Sequence, residues 1–159
     1  MEVEFDVKIT AGDLYDYMLH HTYSGASGLI GAVAGALMVV AGFSGAGMLC
    51  LIAGIVILLY LPITLFLKSK QQFLMNAAFK KPLHYKLTEE GIEVSQGEEA
   101  QRQKWEDMYK AVSTNKSLIV YTTPVNATIF PRRDLSQQTA AVIEIISLHM
   151  PPDKVKIRC

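Results

Sequence analysis

Between Tyr23 and Lys68 the chain carries no ionisable side chain except Cys50 and Tyr60. As one helix those 44 residues would be about 66 Å long, roughly twice the thickness of a bilayer core. The segment must therefore fold back on itself. Ser44-Gly45-Ala46-Gly47 supplies the turn, flanked by apolar runs of membrane-spanning length over 25–43 and 48–67. The pattern predicts a transmembrane helical hairpin, with the lipid bilayer as its first partner.

The two spans are unequal. The second is dense in Leu, Ile, Val and Phe and inserts unaided. The first is diluted by glycine and alanine, and Ser27, Gly31 and Gly35 recur at every fourth position. Such a stripe lets another helix approach closely, and Gly54 on the second span is the natural receiving point. Packing within the hairpin is the favoured use of this stripe; association of two copies into a homo-oligomer is the alternative. Pro62 removes a backbone donor and is expected to kink the second span. A signal peptide is a poor reading, because the flank before the apolar run is long and acidic, with Lys8 its only Lys or Arg.

Lys68, Lys70, Lys80 and Lys81 follow the second span, whereas the turn between the spans has no Lys or Arg. The positive-inside rule places that flank in the cytoplasm, and a hairpin places the N-terminus on the same side. The expected location is thus the cytoplasmic membrane, multi-pass, with both termini cytoplasmic. Residues from Leu83 onward hold ten acidic and ten basic side chains, interspersed, which gives no field to steer nucleic acid. Cys50 lies within a span and Cys159 is the last residue of the sequence, so no disulfide framework is expected.

Residues 2–9 alternate strictly, with Val3, Phe5, Val7 and Ile9 on one face and Glu2, Glu4, Asp6 and Lys8 on the other. That is a half-buried strand, and its only candidate sheet lies beyond the hairpin. Thr10 and Asp13 mark the start of a short aromatic-rich helix running towards the first span. After the second span the helical pattern continues until Pro82. From Leu83 short strands are predicted around 85–88, 92–94, 100–105, 109–114, 117–122 and 125–130, with Asn115-Lys116 as a tight turn. Asp134 or Ser136 then caps a final amphipathic helix, ended by Pro151-Pro152. The expected organisation is a strand and interfacial helix over 1–24, the hairpin over 25–67, a juxtamembrane helix over 68–82, and a small α+β domain over 83–159. In that domain an antiparallel sheet or barrel is covered by the C-terminal helix.

Three short motifs carry a resemblance. They are Tyr85-x-Leu87-Thr88-Glu89-Glu90-Gly91-Ile92, Trp105-Glu106-Asp107-Met108, and Ile129-Phe130-Pro131-Arg132-Arg133. With the order of strand, hairpin and sheet, they resemble the bacterial YcxB-like family of small membrane proteins over nearly the whole chain. Leu135 stands where an aromatic is common in that family. The resemblance implies a soluble part like a bacterial pleckstrin-homology (PH) domain; it brings no catalytic residues.

The residues themselves offer little chemistry. His20-His21 has no Cys, Asp or Glu three or four positions away, so no metal site is expected there. The pairs Glu89-Glu90 and Glu98-Glu99 sit beside glycines as solvated turn residues. Neither a catalytic residue nor a cofactor site is expected. Trp105 is the sole tryptophan; the core is its favoured place, and a binding groove or the bilayer surface are the alternatives. Arg132 and Arg133 after Pro131 are open to two readings, structural or anion-holding. The leading expectation is a membrane-anchored, non-enzymatic binding or scaffolding module, its partner another membrane or cytoplasmic protein or the membrane surface. The alternative is a small homo-oligomeric transporter or channel component.

Overall fold

A computed structural model describes residues 1–158; Cys159 lies outside the described residues. The chain divides into two compact units, one made of residues 1–13 and everything from Phe73 onward, the other of residues 14–72.

The first unit holds two four-stranded sheets. In one, β1 (Val3–Val7), β2 (Leu83–Leu87), β3 (Gly91–Gln96) and β4 (Glu99–Lys104) lie in sequence order, all antiparallel. The alternation read over residues 2–9 is realised here: Val3, Phe5 and Val7 are buried opposite Leu87, Tyr85 and Leu83. The intervening acids meet cations on the open face, Glu2 and Glu4 at 3.3 and 3.4 Å from Lys86 and Asp6 at 2.8 Å from His84. The other sheet has the order β7-β6-β5-β8, with β5 Lys110–Ser113, β6 Ser117–Tyr121, β7 Ala127–Pro131 and β8 Val155–Lys156.

Phe5, Tyr85 and Phe130 join the sheets as an aromatic cluster, with ring centroids 5.0 to 5.9 Å apart. Phe5 and Tyr85 stack while Phe130 meets both edge-on, and such contacts add to what area burial contributes. Burial drives the Tyr85 hydroxyl up to about 12. After the short helical turn α4 (Arg132–Leu135), the last long helix sets Val142, Ile145 and Ile146, all fully buried, on one face at i, i+3 and i+4.

Several expectations are corrected. The strands form two sheets and not a closed barrel, and β8 runs parallel to β5, pairing Val155 with Ala111. A two-residue strand has no alternation to read. The final helix begins at Thr139, so neither Asp134 nor Ser136 caps it; the Asp134 carboxylate instead accepts the Lys8 N–H at 3.1 Å. The helix after the second span stops at Met75, short of Pro82, because the Asn76 side chain takes the Ala78 N–H at 3.0 Å and starts a tight turn over Ala77–Lys80.

The second unit is helical. Helix α1 (Ala11–Ser24), which begins in the first unit, leads to α2 (Ala26–Ala41), a wide turn over Gly42–Ala46, and α3 (Met48–Met75). The turn falls where it was read, and Gly45 and Gly47 adopt φ of 111° and 102°, conformations that a side chain resists. Ala26–Ala46 and Met48–Met75 each contain an 18-residue stretch of high mean hydropathy, 2.0 and 2.7, and are long and apolar enough to cross a membrane. Their large side chains point outward: Leu49 is 85% exposed, Phe43 78% and Ile30 67%. For the final helix, Thr139–His149, the label α5 is used below.

α2 packs closely on α3 at Gly35 and Gly54, and the end of α2 comes as close at Gly42, where a Cβ would stand 2.8 Å from the Leu51 nitrogen. A Cβ on Gly54 would stand 2.8 Å from the Gly35 carbonyl oxygen and 2.8 Å from the Val39 nitrogen, whereas one on Gly31 would meet only Leu61 Cδ1 at 3.9 Å. Gly54→Leu is therefore expected to destabilise the hairpin by about 1–3 kcal/mol or more, since backbone cannot yield as a side chain can. Gly31→Leu should be close to neutral. Unfolding of the full chain in mixed micelles, followed by helicity, separates the two.

Candidate functional site

The motifs around Thr88 and Trp105 form one structure. Thr88 closes the β2–β3 turn: its N–H reaches the Gly91 carbonyl at 2.9 Å, and its hydroxyl accepts the Glu90 N–H at 3.3 Å. Trp105 follows β4 in a single tight helical turn, Trp105–Asp107. Its indole N–H donates to the Thr88 carbonyl at 2.8 Å, and its backbone N–H reaches the Glu90 carbonyl at 3.4 Å. Gly91 is needed beside it, because a Cβ there would collide with the Gln103 carbonyl.

The Trp105 ring is 5% exposed and stacks on the His149 imidazole, centroids 5.7 Å apart and planes 20° apart. His149 ends α5, and its Nδ1 lies 2.9 Å from the Ile145 carbonyl. A carbonyl accepts only, so Nδ1 carries the proton and a neutral ring leaves Nε2 as its acceptor. Above this pair opens a cleft of about 500 Å³, its rim formed by Glu89, Glu90, Lys104, Glu106 and Lys154. Lys104 lies 3.7 Å from Glu106, and the Lys154 ammonium donates to the Met108 carbonyl at 3.4 Å. An aromatic floor with a rim of both signs suits recognition of a mixed polar and apolar surface.

The two arginines after Pro131 diverge. Pro131 is buried at the end of β7, opposite Ser117. Arg132 turns to the C-terminal segment and donates from Nη2 to the Arg158 carbonyl at 2.8 Å. Arg133 grips the start of α1. Its Nη1 and Nη2 reach the two Asp13 carboxylate oxygens at 2.6 and 2.7 Å, and Nη2 also reaches the Lys8 carbonyl at 2.9 Å. Asp13 is 4% exposed and also accepts the N–H and hydroxyl of Thr10 at 2.8 and 2.9 Å. Burial alone would raise its carboxyl, but Arg133 and Thr10 outweigh that and hold it below the ordinary range.

Neither arginine lines the Trp105 cleft. The basic pair is thus not a joint anion site: one guanidinium closes the C-terminal segment and the other holds the junction of β1 and α1. Of the small-residue stripe, the structure brings Gly35 and Gly54 together, leaves Gly31 loosely packed and leaves Ser27 exposed. His149 and Asp13 were missed as partners. Thr10-x-x-Asp13 reads as a helix start, but no local pattern ties residue 13 to residue 133 or residue 105 to residue 149. Among the described residues no group of three or more His, Cys, Asp or Glu could hold a metal ion.

The class defined by these observations is a small two-sheet α+β unit interrupted, after its first strand, by a pair of long apolar helices. Residues 87–146 match the model of the YcxB-like protein family. The matched segment runs from the end of β2 into α5, and so contains the Thr88 turn, Trp105 and Pro131-Arg132-Arg133. No curated protein and no solved structure matches the chain.

Proposed function

We propose that this chain is a membrane-anchored, non-enzymatic binding or scaffolding module: a multi-pass protein whose PH-like sheet unit and both termini lie in the cytoplasm. The observation that carries the topology is the pairing of β1 with β2, residue by residue from Val3↔Leu87 to Val7↔Leu83. These strands precede and follow the apolar helices, so the chain returns to the side it left and crosses an even number of times. Two helices of spanning length with outward apolar side chains fit that count. Lys68, Lys70, Lys80 and Lys81 favour the cytoplasmic side.

The Trp105 cleft is the docking place in this reading, and the partner is another membrane or cytoplasmic protein. A photo-crosslinking side chain at Lys154, on the cleft rim, should capture one discrete partner in cells. Capture should drop when Glu89 and Glu106 are both reversed to lysine. Turnover of a substrate by the pure protein, with no adduct at Lys154, would overturn the reading. Topology is tested separately. In a Cys50→Ala background the Cys159 thiol should react with a membrane-impermeant maleimide only after cells are opened.

A further inference from the structure

Strand β4 is the free edge of its sheet: β3 pairs with one side, no strand among the described residues pairs with the other, and all six side chains from Glu99 to Lys104 are exposed. Unpaired edges invite further strands, and proteins blunt them with charge unless pairing is intended. Three of the six side chains are charged, Glu99 negative near one end and Arg102 and Lys104 positive towards the other, so an antiparallel copy brings opposite signs together.

Which backbone groups face outward follows from one hydrogen bond. The Trp105 N–H to Glu90 carbonyl contact makes that facing pair a hydrogen-bonded one. Alternation along the β3–β4 ladder then turns Gln103, Gln101 and Glu99 inward to their partners Ile92, Val94 and Gln96. The N–H and C=O groups of Ala100, Arg102 and Lys104 are left pointing away from the sheet. A second, antiparallel β4 related by a two-fold axis normal to the sheet keeps both faces matched only if facing residue numbers share parity. An axis through Arg102 would set two guanidinium groups against each other. An axis through Gln101 instead pairs Ala100 with Arg102 and Glu99 with Gln103, and brings Glu98, in the turn just before β4, alongside Lys104. The last pair is oppositely charged and occurs twice by symmetry. Glu98 makes no ion pair among the described residues, and the existing Lys104–Glu106 contact is long, at 3.7 Å, and solvent-exposed.

We propose that β4 is a homodimerisation edge, joining two copies of this chain antiparallel about Gln101 into one continuous eight-stranded sheet, with Glu98 of each copy facing Lys104 of the other. This interface shares Lys104 with the rim of the Trp105 cleft but stands whether or not the cleft binds a partner.

The test is a disulfide at the dyad. Facing residues of a non-hydrogen-bonded antiparallel pair lie about 4.5 Å apart at Cα, within disulfide reach. In full-length protein carrying Cys50→Ala and Cys159→Ala, membranes containing Gln101→Cys should form a covalent dimer under mild oxidation. The rate should exceed by about tenfold or more that of Leu148→Cys, an exposed control on α5. Adding Lys104→Glu should slow the Gln101→Cys reaction about tenfold, because two symmetric attractions become repulsions. Adding Glu98→Lys as well should restore it. Equal rates at Gln101→Cys and Leu148→Cys would overturn the proposal, as would failure of the double reversal to rescue. An adduct to a different protein at position 101 would replace it with a heteromeric edge. Glu98, Gln101, Lys104 and Leu148 are all exposed, and circular dichroism of each variant confirms that it folds.

Discussion

Trp105→Ala is expected to destabilise the sheet unit by about 3–5 kcal/mol, the range for removing a large buried aromatic. Three losses combine. The buried ring leaves a cavity beneath the cleft; the Thr88 carbonyl loses the indole donor at 2.8 Å; and His149 loses the face it stacks on. Trp105→Phe separates them, because it keeps most of the apolar volume and removes the hydrogen bond. It should cost about 1–2 kcal/mol. Both variants are measured on the full chain in detergent by denaturant unfolding. Tyrosine fluorescence and near-ultraviolet dichroism must serve as probes, since the sole tryptophan is the residue changed. If Trp105→Ala unfolds at the wild-type midpoint, the clamp on the Thr88 turn contributes nothing and Trp105 belongs to ligand recognition alone.

Trp105 also shows where sequence reading stops. Its motif and the Thr88–Gly91 motif were both visible, and strands on either side were predicted within a residue or two. That the indole would cap the turn carbonyl was not, because the bond joins residues 17 apart across a sheet edge. Period-two alternation made β1 legible from residues 2–9 alone, and the uncharged block with its Ser44–Gly47 turn made the two long helices legible. β8 was invisible for the opposite reason: two residues fix no period, and Val155 pairs with Ala111 because the chain after Pro151-Pro152 happens to pass there. Asp134 was misread because a carboxylate just before an apolar run is an ordinary helix-start signal. Its real partner, the Lys8 N–H, arrives from 126 positions away. Local signals thus located the elements, while the bonds that lock those elements together are long-range and have no sequence period.

The same distinction governs the second large effect, at Asp13 and Arg133. Arg133→Ala is expected to cost about 2–3 kcal/mol near neutral pH, because it strips two charge-assisted bonds from a carboxylate that stays buried. Arg133→Lys should fall between, keeping the charge but not the two-pronged geometry. The pH dependence identifies the cause. Asp13 titrates in the folded chain below its unfolded value of 3.8, so the unfolded state binds its proton first as pH falls. The stabilisation is complete above that unfolded value and is lost as pH drops through the lower folded one. In Arg133→Ala the opposing effect of burial is no longer outweighed by the guanidinium, so less stability remains to be lost in acid. Denaturation midpoints of the two proteins should therefore differ most well above pH 3.8 and converge as the pH falls below it. A gap that stays constant as the pH falls would mean that Arg133 acts through packing of its stem over the β1–α1 junction and not through the Asp13 charge. If the ion pair is the cause, hydrogen exchange at Lys8 to Asp13 should speed up in Arg133→Ala while β2 and β3 keep their protection, because the guanidinium holds that junction from α4 and the strands hold themselves.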